Sequence, residues 1–597
     1  MDYHTCPNLA AMFFEWAARR GDRPFLWAKR DGAYRPISWR DAERQVRAMA
    51  RGLRALGIRR GDRVGLVAEN RPEWTIADIA IMAAGAVTVP AYTTHGVDDF
   101  RHLLANSGAR AVIVSTAALA HRVMPAADQV STIASIISIE PLTGQLSHAE
   151  GYLWDDVMAR GAGLADDVSS WVAAIGRDDV ACLIYTSGTG GVPKGVMTTH
   201  ANILANCYGA FRLLETIGLG DEVFLCFLPL SHSYEHTAGM MFPISLGAEI
   251  YFAEGAETLA ANMQEARPTI MTAVPRLYET MHQRILLGVE RQGGWRAKLF
   301  RRAVALGAKR YDDPASLAFG ERLLDGLLDL LVRRKVSARF GGRLKAMVSG
   351  GAPLTPEIGV FFLALGVPLL QGYGQTEASP VVSANPPKRI KIDTVGPALD
   401  GVQVRIADDG EILVRGALVM KGYWNDPEAT ARALADGWLH TGDVGVLDED
   451  GYIKITDRKR DFIKNSGGDM VSPARVEGYL TLQPEIGQAM VFGDRRPYLV
   501  AVIVPKPEFV EALAHRRGVE PAAADLAHDP ELNKLIGAAV ARVNAELSPV
   551  ERVRRFIIAA EPFAVANGQM TPTLKIKRFA IRQAYGAALQ ALYDANR

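Results

Sequence analysis

Between Tyr185 and Val196 the chain reads Tyr-Thr-Ser-Gly-Thr-Gly-Gly-Val-Pro-Lys-Gly-Val. The apolar run Ala181 to Tyr185 empties into a loop of hydroxyls and glycines, Thr186, Ser187, Gly188, Thr189, Gly190 and Gly191, and Lys194 closes it. Glycines let successive backbone N–H groups turn inward as a nest, hydroxyls add donors and the ammonium adds a full charge, so the loop suits a polyanion such as a nucleotide triphosphate. Pro193 argues against a helix starting on Lys194, and Gly195 stands where the P-loop pattern requires a magnesium-binding hydroxyl. This is a phosphate loop of a different kind. A second cluster, Leu228-Pro229-Leu230-Ser231-His232-Ser233-Tyr234-Glu235-His236, spaces His232, Glu235 and His236 as in the inverted zinc-protease pattern, where two imidazoles at i and i+4 share a helix face. A zinc peptidase on these three residues is therefore one reading of the chain.

Five further blocks follow the phosphate loop in order: Gly350-Gly351-Ala352-Pro353-Leu354, Gln371-Gly372-Tyr373-Gly374-Gln375-Thr376-Glu377, Trp438-Leu439-His440-Thr441-Gly442-Asp443, Asp457-Arg458-Lys459-Arg460 and Thr571-Pro572-Thr573-Leu574-Lys575. With the loop they closely resemble the adenylate-forming superfamily of acyl-CoA synthetases, luciferases and peptide-synthetase adenylation domains. The likeness covers nearly the whole chain. One departure is Gly190, where the superfamily usually has a second Thr; it removes a hydroxyl from the cradle and keeps the amides.

The resemblance implies a two-step reaction. A carboxylate is a poor electrophile towards a thiol, so the acid is first joined to AMP from ATP and then passed to CoA. In the first step the resemblance has Glu377 hold Mg2+, which suits one carboxylate among phosphate oxygens and waters, and Thr376 bond the α-phosphate. Gly351, Ala352 and the stretch Gln371, Gly372, Tyr373 and Gly374 border the nucleotide, with Tyr373 as the adenine platform. Asp443 takes the ribose hydroxyls and Arg458 the same sugar. Lys575 reaches between substrate carboxylate and α-phosphate, with Lys577 the competing assignment. In the second step the C-terminal domain turns about Arg460, withdraws Lys575 and presents Lys464, Asn465, Ser466, Gly467 and Gly468 to the thiol. His232 and its Leu-Pro-Leu-Ser neighbours line the acyl pocket. An alternative keeps the adenylation and passes the acyl group to a carrier-protein thiol.

These residues need elements to hold them. Val64 to Val67, Ala111 to Val114, Val223 to Leu228, Ile270 to Thr272 and Met347 to Ser349 are apolar runs between helical patterns, which predicts α/β architecture with mostly parallel sheet. From 395 to 456, Asp409-Gly410 and Asp450-Gly451 punctuate alternating segments such as Val402 to Ile406 and Glu411 to Val414, the signature of a small antiparallel subdomain. The expectation is a large N-terminal domain over 1–456, a hinge at 457–461 and a smaller, mobile C-terminal α+β domain over 462–597, with strands at Met490 to Phe492 and Leu499 to Val504. A short polar segment between two patterned regions absorbs rotation cheaply.

At 597 residues the chain is too long for one core, and 67 basic against 66 acidic residues give nothing that favours nucleic acid. Cys6, Cys182, Cys207 and Cys226 form no close pair, which reads as buried reduced thiols. No basic-then-apolar leader opens the sequence and no apolar run reaches the ~18 residues of a membrane span. The expected place is the cytoplasm.

The stretch 295–345 bears on the acid. Trp295, Leu299, Ala303 and Leu306 recur at helical spacing beside six basic residues between Arg296 and Arg310, and Leu324, Leu328 and Leu331 make a second stripe. Such an insert resembles the long-chain fatty acyl-CoA synthetases, implying a medium- to long-chain fatty acid. Small residues such as Gly239, Gly350 and Gly351 are expected to leave room for the alkyl chain. Contact with a membrane surface through the basic face, and a homodimer, stay open.

Overall fold

The computed structural model describes residues 1–142, 147–186, 192–255, 257–459, 463–467, 469–517, 529–571 and 575–594. Two eight-stranded sheets form the N-terminal region. In the first, Val180–Thr186, Val87–Pro90, Arg63–Val67, Ala111–Val114, Ser135–Ser138 and Glu150–Leu153 run parallel. Lys194–Thr199 folds back on Val180–Thr186 as an antiparallel hairpin, and Gly422–Tyr423 closes that edge. In the second, Pro24–Arg30, Glu249–Phe252, Val223–Cys226, Ile270–Ala273, Ala346–Ser349 and Leu369–Gly374 are parallel, with Ala33–Ser38 antiparallel at one end and Val381–Ala384 at the other. Central strands such as Ala111–Val114 are buried throughout, which their uninterrupted β-branched and small residues require.

A five-stranded antiparallel sheet of Val402–Ile406, Glu411–Gly416, Leu434–Ala435, Trp438–Leu447 and Ile453–Arg458 comes next, as the two turn signals predict. Its last strand carries the ladder as far as Arg458, into the segment read as a hinge. The C-terminal region packs Pro473–Thr481, Pro530–Glu546 and Arg578–Asp594 around a three-stranded sheet of Ile486–Phe492, Leu499–Pro505 and Val553–Ile558. The architecture is α/β, a large N-terminal part with a small β subdomain and a smaller C-terminal part.

Two sequence expectations need correction. The run Val223 to Leu228 is a strand only to Cys226, because the Phe227 N–H donates to Glu235 and leaves the ladder. In the insert, Ala303, Leu306 and Leu328 are buried together with Leu299 and Leu324 packed on them, but Trp295 and Leu331 are exposed. Trp295 lies in the first turn of the helix Gly294–Asp312, and the π-helical turn Asp329–Arg333 rotates Leu331 off the stripe.

Candidate functional site

Four of the motifs follow the carboxyl ends of parallel strands, where crossovers leave a crevice, while Asp443 and Arg458 come from the small antiparallel sheet and Lys575 from the C-terminal region. Thr186 ends one such strand, Leu228 to His232 follow Val223–Cys226, Gly350 and Gly351 follow Ala346–Ser349, and Thr376 follows Leu369–Gly374.

Asp443 is the centre of the polar network. It is buried, its Oδ2 accepts from the Tyr373 hydroxyl at 2.6 Å, and its Oδ1 lies 3.1 Å from Arg458 Nε. Strand pairing sets this geometry, since Asp443 and Arg458 are register partners. Burial and the Asp443 charge both raise the Tyr373 phenol, so it remains a donor. Lys575 joins the same network from the C-terminal region. Burial, then the Arg458 charge, lower its pKa to about 8 against the opposing pull of Asp443. Its backbone is held by a reciprocal pair with Thr571: Lys575 N–H donates to Thr571 Oγ1 and Thr571 N–H to Lys575 O. Lys577 is exposed and acts on His95 instead.

His232 faces this ammonium. Burial and then Lys575 push its pKa down to about 3, and its Nδ1 accepts from the Tyr234 N–H at 3.1 Å. The neutral ring therefore carries its proton on Nε2. Ser233 beside it meets Thr376, the two hydroxyl oxygens 3.0 Å apart, which ties the Leu-Pro-Leu-Ser-His segment to the Thr-Glu motif.

Glu377 and Lys194 are linked through a residue the sequence reading passed over. Tyr423 donates to Glu377 Oε1 at 2.8 Å, and Lys194 Nζ sits 5.0 Å from the centre of its ring and 3.5 Å from Asp426. The signal available in the sequence was an aromatic pair, Tyr423-Trp424, in an otherwise polar turn before Pro427. A carboxylate has several lone-pair sites, so the Tyr423 bond orients Glu377 and still fits a magnesium ion completed by phosphate oxygens and waters. Lys194 begins a strand, and no helix starts on it, in line with the argument from Pro193. Ser187, Gly188, Thr189, Gly190 and Gly191 lie outside the described residues, as do Arg460 and Gly468. Of the turn expected to serve the thiol step, Lys464 is exposed and its N–H donates to Asp494, while the Ser466 N–H donates to Arg496 O at 3.0 Å.

Several glycines have reasons other than those expected. A side chain at Gly374 would start 1.8 Å from the Pro380 carbonyl oxygen, so this glycine lets the hairpin with Val381–Ala384 close. One at Gly239 would fall 2.5 Å from the Glu235 carboxyl carbon, and one at Gly350 would fall 3.1 Å from the Tyr234 ring. Those two spaces are filled by protein, not left for an alkyl chain. Gly351 does need its glycine backbone, at φ +85°. Gln371 is buried in its strand and Ala352 is exposed beyond Gly351.

The zinc reading does not survive. Glu235 Oε2 accepts from the Thr272 hydroxyl at 2.5 Å and Oε1 from the Phe227 N–H, and burial raises its pKa to about 7. His236 Nε2 pairs with buried Asp78 at 3.0 Å, while His232 turns to Lys575. Among the described residues no group of three or more His, Cys, Asp and Glu side chains is placed to hold a metal.

Comparison with known proteins gives the family. A family profile described as AMP-binding enzyme matches residues 13–424, and one described as AMP-binding enzyme C-terminal domain matches 460–597. The chain belongs to the AMP-binding enzyme family. Among its relatives, the long-chain-fatty-acid–CoA ligase FadD15 of Mycobacterium bovis is 35% identical over 592 residues, 98% of this chain and 97% of that one. The mouse long-chain-fatty-acid–CoA ligase 6 is 30% identical over 627 residues, 99% of this chain and 87% of that one. Among solved structures, the A domain of the carboxylic acid reductase from Segniliparus rugosus, in complex with AMP and a co-purified carboxylic acid, superposes with a TM-score of 0.78. It is 23% identical, covering 99% of this chain and 95% of that one, and establishes likeness of fold.

Proposed function

We propose that this AMP-binding enzyme joins medium- to long-chain fatty acids to CoA, using ATP, through an acyl-AMP intermediate and with release of pyrophosphate and AMP. The observation that carries the reading is the meeting of Lys575 with Asp443, Arg458 and His232 at the carboxyl ends of the sheets. Full-length relatives named as long-chain-fatty-acid–CoA ligases support the substrate class.

In the first half-reaction two anions must approach, so the work is electrostatic. Asp443, held by Tyr373 and Arg458, accepts from the ribose hydroxyls, and Tyr373 presents its ring to the adenine. Lys194 and the loop Thr186 to Gly191 hold the phosphates. Mg2+, when bound, supplies two positive charges to the phosphate oxygens, with Glu377 as its protein ligand. Thr376, fixed by Ser233, donates to the α-phosphate. Lys575 offsets repulsion between the incoming carboxylate and that phosphate, and the His232 Nε2–H points a neutral donor into the same space. For the second half-reaction the C-terminal domain rotates at 457–461, about Arg460, and the Lys464 to Gly468 turn replaces Lys575. The start of the C-terminal family match at residue 460 supports a boundary there. Fatty acids of this length partition into bilayers, so we place the enzyme in the cytoplasm, working at a membrane surface.

Pyrophosphate exchange across fatty and aryl acids tests the reading. Exchange dependent on a fatty acid and magnesium, followed by thioester formation with free CoA, is expected. Exchange that is best with an aryl acid, or a thioester formed only on a carrier protein, would overturn the substrate assignment.

A further inference from the structure

The helical insert has an outer face that its sequence stripes did not reveal. With Leu324 and Leu328 turned inward, Phe319, Leu323, Leu327 and Leu330 are left outside, 79%, 65%, 50% and 52% exposed. Their separations of four, four and three residues place them on one side of the helix Phe319–Leu328 and the turn that continues it.

Charge along the insert is uneven. Residues 294–343 contain twelve Lys and Arg against five Asp and Glu, although the whole chain is almost neutral at +1. Two of those acids are engaged within the insert: Glu321 by Lys309 and Arg302, Asp325 by Arg310 and Arg333. Arg301, Arg322, Arg334 and Lys335 are exposed.

We propose that this face seats the enzyme on an anionic lipid bilayer, with Phe319, Leu323, Leu327 and Leu330 entering the headgroup boundary and the surrounding guanidinium and ammonium groups meeting lipid phosphates. An apolar stripe flanked by cations is the pattern of an interfacial helix. Charge decides between a lipid surface and a second copy of the chain: a two-fold contact through this face would bring the same cations against each other. The proposal deepens the reading of the protein as a fatty-acid ligase, for which the surface would be the source of substrate.

Flotation of the full chain with vesicles tests it, using equal parts phosphatidylglycerol and phosphatidylcholine against phosphatidylcholine alone. The wild-type protein should float with the anionic vesicles, less with neutral ones, and be released by high salt. Leu323→Glu combined with Leu327→Glu should lower the bound fraction at least ~10-fold. Activation of octanoate in solution should stay within about twofold of wild type, which also certifies the fold. Arg322→Gln with Arg334→Gln should weaken binding to anionic vesicles alone. Wild-type protein that does not float, or a double-Glu variant that floats equally well, would overturn the proposal. So would a wild-type dimer that the Leu variants split without any change in flotation. Failure of the ligase reading looks different: no acid supports AMP release, while flotation is unaffected.

Discussion

Lys575 is an ammonium that burial, then the Arg458 charge, makes titratable near neutral pH, and that gives its role a testable form. Its pKa of about 8 means that it is charged below that pH and loses its proton above it. The value of kcat/KM for ATP, which reports the uncomplexed enzyme, should therefore fall as pH rises through about 8. Lys575→Arg stays charged and should lack that falling limb. Lys575→Ala should slow acyl-AMP formation by ~10²-fold or more, the scale of losing one transition-state donor, while thioester formation from supplied acyl-AMP persists. Equal losses in both half-reactions would sink the idea that the lysine serves one step only. Glu235 is a different case, a buried carboxyl that fastens the His232 segment to Phe227, just past the strand Val223–Cys226, and to Thr272 in the strand Ile270–Ala273. Its pKa is raised from an ordinary 4.5 to about 7, so the folded state holds a proton that the unfolded chain has lost. Stability should decline as pH rises from about 4.5 to about 7, by roughly 3 kcal/mol in all. Glu235→Gln should flatten that dependence in urea unfolding, and Glu235→Ala should cost about 1–3 kcal/mol by orphaning two donors. An unchanged pH dependence in the Gln variant would refute the assignment.

At the scale of elements, Lys575 is held in place by the helix on its C-terminal side. Arg578 opens that helix, Arg578–Asp594, and grips Glu477 of the helix Pro473–Thr481 with both terminal nitrogens, each at 2.6 Å, while Glu477 also accepts from the Val491 N–H. A bidentate pair fixes direction as well as distance. Arg578→Ala should slow acyl-AMP formation by about tenfold and spare the thioester step, because a small displacement of a positioned group is costly only where that group acts; the two half-reactions assayed separately check this. Such a clamp spans 101 residues and has no signature in the sequence. What the sequence did expose was local. The strands Ala111–Val114 and Val402–Ile406 follow from apolar runs and alternation, and the small β sheet from two Asp-Gly turns. The glycines were legible as necessary, but only the packed structure explains Gly374 by the Pro380 carbonyl and Gly239 by the Glu235 carboxyl. The same limit hid Tyr423, whose meaning depends on Lys194 and Glu377 arriving on either side of it.

Across the whole molecule, the order of motifs along the chain carried the fold class and the family, because two parallel sheets with crossover helices leave few places where those motifs can meet. Substrate choice was less legible. Chain length depends on the depth of a tunnel between elements, and two of the glycines expected to leave room for an alkyl chain are packed by Glu235 and Tyr234. The case for a long acid rests instead on the full-length relatives and on the physics of burial. Each methylene moved from water into an apolar tunnel contributes ~0.8 kcal/mol, or about fourfold in kcat/KM when that energy is expressed in the transition state. Efficiency should accordingly climb by about this factor per carbon from hexanoate onward, then level off where the tunnel ends. The plateau measures the tunnel, since further carbons remain in water and add nothing. Measurements must stay below the micelle concentration of each acid, so that the plateau reflects the protein. A steady rise over several carbons would establish a deep apolar site. A maximum at acetate or at a benzoate would refute the long-chain assignment and leave the roles proposed for Lys575, Asp443 and Glu377 untouched, because those roles concern the carboxylate and nucleotide and not the tail.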